Sequence, residues 1–223
     1  MSLVQILVLA DSAFPTGAFG HSFGLETAIL DGRAYDADTI ATWISSFVLD
    51  GLATLDAAAF VLATRDGNDV LALDEVVSAA IVADEVRAAN AQLARATLAS
   101  YDAMRLQSDA LDRYSTLLAR NEAYGVHSLA CGLGYAAAAV PWSDGLRAYL
   151  SCTVSALVSV AVRAIPLGQR AGVDVLWRLR SLIEEAAQRA QRVESAEDLR
   201  TQAFACEIDA MRHASLDGRM FAS

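Results

Sequence analysis

Apolar residues recur at intervals of three and four along most of this chain, and this spacing constrains its fold more than any other feature. The pattern is clearest over residues 70–83, 86–106, 146–162 and 173–187. Residues three or four positions apart share one face of an α-helix, whereas a half-buried strand requires strict alternation. Because the sequence shows no sustained alternation of β-branched residues, we predict an all-α fold.

Capping and turn residues divide the helical pattern into separate elements. Asp36 and Asp69 precede apolar stretches and are typical N-caps, whereas Asp31-Gly32 and Ile165-Pro166 are typical helix ends. These signals separate roughly eight to ten helices joined by short connections. We therefore predict a single compact domain spanning residues 1–223.

Composition excludes several classes of function. All 17 basic residues are arginine, and the net charge is −10. Lysine-dependent phosphate loops and Schiff-base chemistry are therefore excluded. Nucleic-acid binding requires a basic surface that neutralises phosphates, so we expect no nucleic-acid partner for this acidic chain.

Two stretches, 128–140 and 148–162, are apolar on nearly all sides, and the chain as a whole is 55% hydrophobic. A chain of this size has little polar surface with which to cover two such helices. We therefore expect a homodimer, in which a second copy covers part of the apolar surface.

We predict neither a targeting segment nor a membrane span. The apolar run at 3–10 has no preceding basic residue and is interrupted by Asp11, unlike a signal peptide. The uncharged run at 148–162 is shorter than the ~20 residues that a membrane span needs. Three cysteines without close pairing are typical of free cytosolic thiols, so we expect a cytoplasmic protein without membrane contact.

Residues 11–26 read DSAFPTGAFGHSFGLE and connect two helical stretches. They contain one proline, three glycines and three phenylalanines, which leaves too little local structure to bury the aromatic rings. These rings must therefore pack under another element or into a partner. The segment resembles the N-terminal signature of the UreF urease accessory proteins, which is roughly SPALPxGGFSYSQGLE with a HSFGLE variant.

Two further segments are similar to the same family. Residues 163–169, RAIPLGQ, resemble its K-x-V-P-L-G-Q motif, and residues 211–221, MRHASLDGRMF, resemble its C-terminal xxHExxYSRLF. The resemblance implies an all-α, non-enzymatic scaffold without catalytic residues. Such a scaffold bridges UreD (also called UreH) and the GTPase UreG in a complex that delivers nickel to the urease apoprotein.

The resemblance also implies how nickel and partners are bound. The complex handles the nickel, and this chain binds no cofactor permanently. Residues 213–223 form a tail that contributes to UreD binding, and we expect this tail to become ordered when the partner binds. The partner-binding residues implied by the three segments are Phe14, Pro15, Gly17, Phe19, His21, Phe23, Glu26, Gln169, His213, Arg219, Met220 and Phe221.

The sequence departs from the family pattern near both ends. Ala214, Asp217 and Gly218 replace the usual tail residues, and Phe19 lacks the hydroxyl that some members carry at this position. A contact between that hydroxyl and an arginine is therefore unavailable. We expect Phe19 to stack on Arg219 through a cation–π contact instead.

His127 and Cys131 lie four positions apart, on one face of a predicted helix. Two soft ligands in this arrangement could supply half of a metal site. Gly132 and Gly134 follow directly, which favours close packing of neighbouring helices. We therefore expect helix packing around a buried cysteine rather than metal binding.

Two alternatives to the scaffold remain open. One is an enzyme acting on a small molecule, with a pocket in the helical array lined by Tyr124, His127 and Tyr135. The other is a protein that activates or regulates the GTPase UreG through an arginine supplied in trans. The many arginines allow the second alternative, but none lies in a decisive motif.

Overall fold

The computed structural model describes residues 3–65 and 67–222, which form eleven α-helices and three short helical turns. No strand occurs among these residues, so the predicted all-α fold is confirmed. The eleven α-helices slightly exceed the eight to ten expected. The helices are α1 (Leu3–Leu9), α2 (Leu25–Leu30), α3 (Ala37–Ser46), α4 (Asp56–Ala63), α5 (Val70–Ala80), α6 (Asp84–Ala103), α7 (Asp109–Ala119), α8 (His127–Ala137), α9 (Trp142–Ala164), α10 (Gln169–Gln191) and α11 (Phe204–His213).

Side-chain caps explain several helix starts. The Asp36 carboxylate accepts the Thr39 N–H at 2.9 Å, while the Thr39 hydroxyl accepts the Asp36 N–H at 3.0 Å, which forms a capping box at α3. Asp69 caps α5 by accepting the Leu71 N–H at 3.1 Å. The N-caps predicted at these two aspartates are confirmed. Ser108 caps α7 in the same way and was not predicted.

The core is built around α8 and α9, which pack against each other. Helix α8 also contacts α4 and α6, and its side chains from 128 to 135 are all buried. Two glycines permit this close approach. A Cβ on Gly132 would lie 2.7 Å from the Phe60 carbonyl oxygen of α4, and a Cβ on Gly134 would overlap the Tyr101 ring of α6. The packing role expected for both glycines is confirmed.

The two apolar stretches that suggested a second subunit are covered largely by this chain itself. Helix α8 is buried on most sides, and α9 is buried against α10, α8 and α4. These helices therefore do not require a partner, and the homodimer stays a prediction. Groups of exposed apolar side chains lie instead on three other helices: Leu3, Val4, Leu7 and Val8 on α1, Val173 and Trp177 on α10, and Phe204, Ile208 and Met211 on α11.

Helix α9 is 23 residues long, which exceeds the uncharged run on which the membrane prediction rested. By length and composition it could cross a membrane, and the bent pair Ala37–Leu52 and Asp56–Ala63 passes the same test. In the described part of the chain, 56% of the most apolar window of α9 is buried inside the protein. A core helix also passes this test, and the packing of α9 on its neighbours is that of a core helix.

Candidate partner-binding site

The N-terminal connection and the C-terminal tail lie side by side. The Ser22 N–H donates to the Ala222 carbonyl at 2.7 Å, and the Ala222 N–H donates to the Gly20 carbonyl at 2.9 Å. Residues 19–26 and 213–222 therefore form one continuous surface, which we call the terminal surface. The tail lies against the body here, Ser223 is outside the described residues, and ordering of the tail on partner binding stays a prediction.

Glu26, in the first turn of α2, holds the tail through its carboxylate. It is only 3% exposed. It accepts the Met220 N–H at 2.7 Å and the Phe221 N–H at 3.2 Å. Nε2 of His213 lies 3.0 Å from the same carboxylate. Since a buried carboxylate is stable only when it is hydrogen-bonded, Glu26 and the tail depend on each other.

His213 ends α11 and is completely buried. Its Nδ1 lies 2.8 Å from Oε2 of Glu85, at the start of α6, and the other oxygen of Glu85 accepts a hydrogen bond from Arg219. The bonds from His213 and Arg219 hold the pKa of Glu85 below its usual value. Glu26 and Glu85 therefore face opposite nitrogens of one imidazole ring.

Gly24 explains why α2 approaches α11 so closely. Its φ of +92° is in the left-handed region, and a Cβ at this position would lie 2.6 Å from the Ala210 amide nitrogen of α11. The Thr27 hydroxyl then donates to the Asp209 carbonyl at 2.8 Å, and the buried Asp209 carboxylate pairs with Arg33. These contacts fix α11 against α2.

Arg163, from the RAIPLGQ segment, joins the third motif to the terminal surface. Its guanidinium lies 4.6 Å from the centre of the Phe221 ring and donates to the Phe19 carbonyl at 2.8 Å. The predicted stacking of Arg219 on Phe19 is wrong, because Arg219 pairs with Glu85 instead. Phe19 contributes only its carbonyl oxygen to Arg163, and the aromatic ring beneath the Arg163 guanidinium is that of Phe221 in the tail.

The aromatic rings of the N-terminal connection pack on the body of the protein. The Phe14 ring centre lies 5.8 Å from that of Tyr101, and the Phe23 ring is stacked on Phe47 at 5.7 Å. The expectation that these rings pack under another element is therefore confirmed for Phe14 and Phe23. They place the connection, and with it the adjacent terminal surface, against α6 and the turn after α3.

The other predicted partner-binding residues differ in their position. His21 is buried and forms a backbone bridge with Ala222, whereas Pro15 and Gly17 are exposed in the turn before it. Met220 is 65% exposed and lies on the terminal surface. Gln169 is exposed at the start of α10, and no hydrogen bond among the described residues connects it to the terminal surface.

Glu85 and Arg163 complete the terminal surface, although sequence reasoning did not include them among the partner-binding residues. An acidic residue in the first turn of a helix is fully explained by the helix dipole, so Glu85 carried no further signal. Arg163 lies in the last turn of α9, where the helix dipole alone accounts for a positive charge, and nothing local indicates a contact with the tail. Both roles appear only when α6 and α9 are placed beside the tail.

A partly open cavity of about 160 Å³ lies between the N-terminal connection and helices α4, α6, α8, α9 and α11. His127, Cys131 and Tyr135 line it, and most of the other lining groups are apolar. Of the three residues predicted to line a pocket, His127 and Tyr135 do so. The prediction is wrong for Tyr124, which is 65% exposed and does not line the cavity.

His127 and Cys131 face each other in this cavity, with Sγ 3.3 Å from Nε2. Burial lowers the pKa of His127 to about 4 and raises the pKa of the Cys131 thiol far above its usual value. A protonated thiol is a poor metal ligand.

Asp56 lines the same cavity. It accepts a long hydrogen bond from Ser128, and burial raises its pKa to about 6. In the part of the chain that the structure describes, no three His, Cys, Asp or Glu side chains are grouped so as to hold a metal ion.

Comparison with known proteins decides the family. A sequence model of UreF matches residues 34–180. The urease accessory protein UreF of Paenarthrobacter aurescens (strain TC1) is 37% identical over 215 residues, which cover 96% of this chain and 95% of the relative. That of Corynebacterium glutamicum (strain R) is 34% identical over 220 residues, with 98% and 96% covered. The chain belongs to the UreF family.

UreF membership gives this chain a role in urease maturation, as an accessory protein rather than as an enzyme. The small-molecule enzyme is therefore no longer a competing interpretation of the cavity. The alignment with the UreF of Agrobacterium fabrum, which is 31% identical, covers 100% of this chain. Both ends of the chain, and thus the whole terminal surface, lie within the region of similarity.

Proposed function

We propose that this UreF-family chain is a scaffold that bridges UreD (UreH) and the GTPase UreG, and that the assembled complex delivers nickel to the urease apoprotein. The observation that carries the proposal is the terminal surface, where three motifs distant in sequence meet through Glu26, Arg163 and His213. Nickel is then cargo of the complex, and this chain holds no permanent cofactor.

UreD docking on the terminal surface is supported by the apolar side chains that this surface presents to solvent. Met220 is exposed although its neighbour Phe221 is buried, and Arg219 lies beside it. Exposed apolar side chains next to arginine are typical of interface anchors. Exposed apolar side chains also follow helical spacing on α11, whose last residue belongs to the terminal surface; they are Phe204, Ile208 and Met211.

The homodimer and the UreG contact belong to other surfaces. Helix α1 exposes four apolar side chains while it packs on α9, so a second copy of the chain is the proposed cover for this face. Gln169 lies outside the terminal surface, at the exposed start of α10. We assign this region to contact with UreG, because a bridging protein requires separate surfaces for its two partners.

Size-exclusion chromatography with light scattering tests the scaffold directly. The chain would be run alone, then with the host's UreD, and then with UreG added. We expect a dimer that forms a complex with UreD and then recruits UreG. A chain that elutes unchanged in the presence of both proteins would contradict the proposal.

A matched pair of variants tests the terminal surface itself. Met220→Glu places a charge on an exposed apolar anchor, and we expect UreD affinity to fall at least about tenfold. Met104→Glu is the control, because Met104 is also exposed but lies about 28 Å from Glu85 at the opposite end of α6. Equal effects of the two variants, measured by calorimetry on folded protein, would remove UreD from this surface.

A further inference from the structure

We infer that a positively charged His213 holds the tail in place, and that loss of its proton releases the tail and so makes the terminal surface pH-dependent. The inference rests on the proposed function in one respect, since it concerns the regulation of the surface assigned to UreD. The contact of His213 with Glu26 and Glu85, which we call the His213 latch, is a property of the isolated chain and can be tested without any partner.

The position of His213 between two carboxylates requires two hydrogen-bond donors on its ring. Both ring nitrogens of His213 lie within 3.0 Å of a carboxylate oxygen, Nδ1 beside Glu85 and Nε2 beside Glu26. A neutral imidazole carries one N–H and can donate to only one of these oxygens. An ionised carboxylate has no proton to donate, so the observed geometry requires an imidazolium ring with two N–H donors.

The charges around His213 also favour a positively charged ring. Glu26 on α2 and Glu85 on α6 contribute two negative charges, and Arg219 on the tail contributes one positive charge. Two backbone N–H groups donate to Glu26, which favours its ionised form. With both carboxylates ionised, the group is neutral only if His213 carries the second positive charge. The next ionised groups compensate one another, since Asp209 on α11 pairs with Arg33 and Asp31 pairs with Arg212. A neutral His213 would therefore leave an uncompensated negative charge in a buried site, which is costly.

The same carboxylate couples this charge to the tail. Glu26 accepts the Met220 and Phe221 N–H groups as well as the His213 ring. If Nε2 loses the proton, Glu26 loses a hydrogen bond, and its solvation requires the tail to lift because the tail backbone covers it. If Nδ1 loses the proton, Glu85 loses its bond to α11, and only the partly exposed pair with Arg219 still joins Glu85 to the tail. A metal ion is not an alternative occupant, since the two carboxylates lie at opposite edges of the ring and do not converge.

The expected pH dependence therefore has two sides. On the alkaline side, loss of the His213 proton removes one of the two carboxylate contacts and releases the tail. On the acid side, the lowered pKa of Glu85 means that its contribution is present above the usual carboxyl range and is lost as the pH falls through the lowered value. Tail docking is expected to be greatest between these limits.

Nitrogen NMR of the histidine rings in the isolated, folded chain tests the charge state. The chain has three histidines, and His127 is an internal control because burial lowers its pKa to about 4. At about pH 7 we expect two protonated ring nitrogens at His213 and a neutral ring at His127. A neutral His213 ring in a chain whose tail amides remain protected would overturn the inference.

Hydrogen exchange measures release of the tail. Protection of the Met220 and Phe221 amides, corrected for the intrinsic pH dependence of exchange, is expected to fall at least about tenfold when the nitrogen spectra show that the His213 ring has become neutral. Protection that does not change while the ring titrates would overturn the inference. The result is independent of UreD, so loss of UreD binding with an intact latch would count against the proposed function alone.

A pair of glutamate variants tests the positioning role of Glu85. Glu85→Gln keeps the side-chain shape and removes one negative charge, so in nitrogen NMR the midpoint of the change from the doubly protonated to the neutral ring should lie at lower pH than in the wild-type chain. Glu184→Gln is the matched control, because Glu184 forms an exposed ion pair with Arg147 on other helices. The same midpoint in both variants would overturn the inference, whereas a shift in Glu85→Gln alone supports it.

Discussion

Alanine at Gly24 is the sharpest test of how the terminal surface is built, because Gly17 provides a matched control. Both glycines have left-handed φ angles, +92° at Gly24 and +82° at Gly17. They differ in their surroundings. A Cβ on Gly24 would lie 2.6 Å from the Ala210 nitrogen and 2.9 Å from the Cys206 carbonyl oxygen, whereas a Cβ on Gly17 meets nothing within 4 Å.

The magnitudes follow from these surroundings. Left-handed backbone costs an alanine about 1–2 kcal/mol, and the reduced entropy of the unfolded chain offsets about 0.4–1 kcal/mol of this cost. Gly17→Ala should therefore reduce the free energy of unfolding by about 1 kcal/mol or less. Gly24→Ala has the same backbone cost and also pushes α2 away from the α11 backbone, which adds about 1–3 kcal/mol for overpacking.

Urea denaturation of both variants and the wild-type chain measures this difference. An extra loss of 1 kcal/mol corresponds to a fall of about 2–4 °C in Tm for a chain of this length. Gly24→Ala should also weaken protection of the Met220 amide, because His213 moves with α11. Equal losses of stability in the two variants would refute the claim that close packing on α11, rather than backbone conformation, requires glycine at this position.

Three further predictions concern the tail and the core. Phe221→Ala removes a buried ring from beneath Arg163 and should destabilise tail docking by about 3 kcal/mol, seen as faster amide exchange at Met220. Arg219→Ala breaks a partly exposed ion pair with Glu85 and should cost about 1 kcal/mol or less in the same assay. The pKa of Asp56 is raised to about 6, so the stability that its protonated form contributes is lost as the pH rises through that value. Asparagine does not titrate. The free energy of unfolding of Asp56→Asn, measured in urea, should therefore rise relative to that of wild type by about 2 kcal/mol from about pH 4.5 to pH 7. Exchange at Met220 that is equally fast in the Phe221 and Arg219 variants, or parallel pH curves for Asp56→Asn and wild type, would contradict these accounts.

Phe221 shows how the structure changes the design of a binding experiment. From the sequence, Phe221 and Arg219 are equivalent members of one interface motif. In the structure Phe221 is buried under Arg163, so its removal disturbs the tail before any partner is present. Met220 is the exposed member, and it is therefore the appropriate residue for a test of partner contact.

The sequence by itself determined the features that depend on neighbouring residues. Helical spacing of apolar residues, the caps at Asp36 and Asp69, and the helix end before Pro166 arise from hydrogen bonds within a few positions of each other. The motifs at the two ends and at 163–169 also identified the family, since a resemblance requires only the order of residues and not their contacts.

Only the tertiary structure decided which of these residues meet. Helix packing brings Glu26, Glu85 and His213 together, although they are separated by 128 or more positions in two of the three pairs. It also places Arg163, rather than Arg219, beside an aromatic ring, and covers most of α8 and α9 within one chain. Local propensity contains no information on such contacts, because they depend on the angles and distances at which whole helices pack, and a glycine such as Gly24 sets that distance only when its neighbour is known.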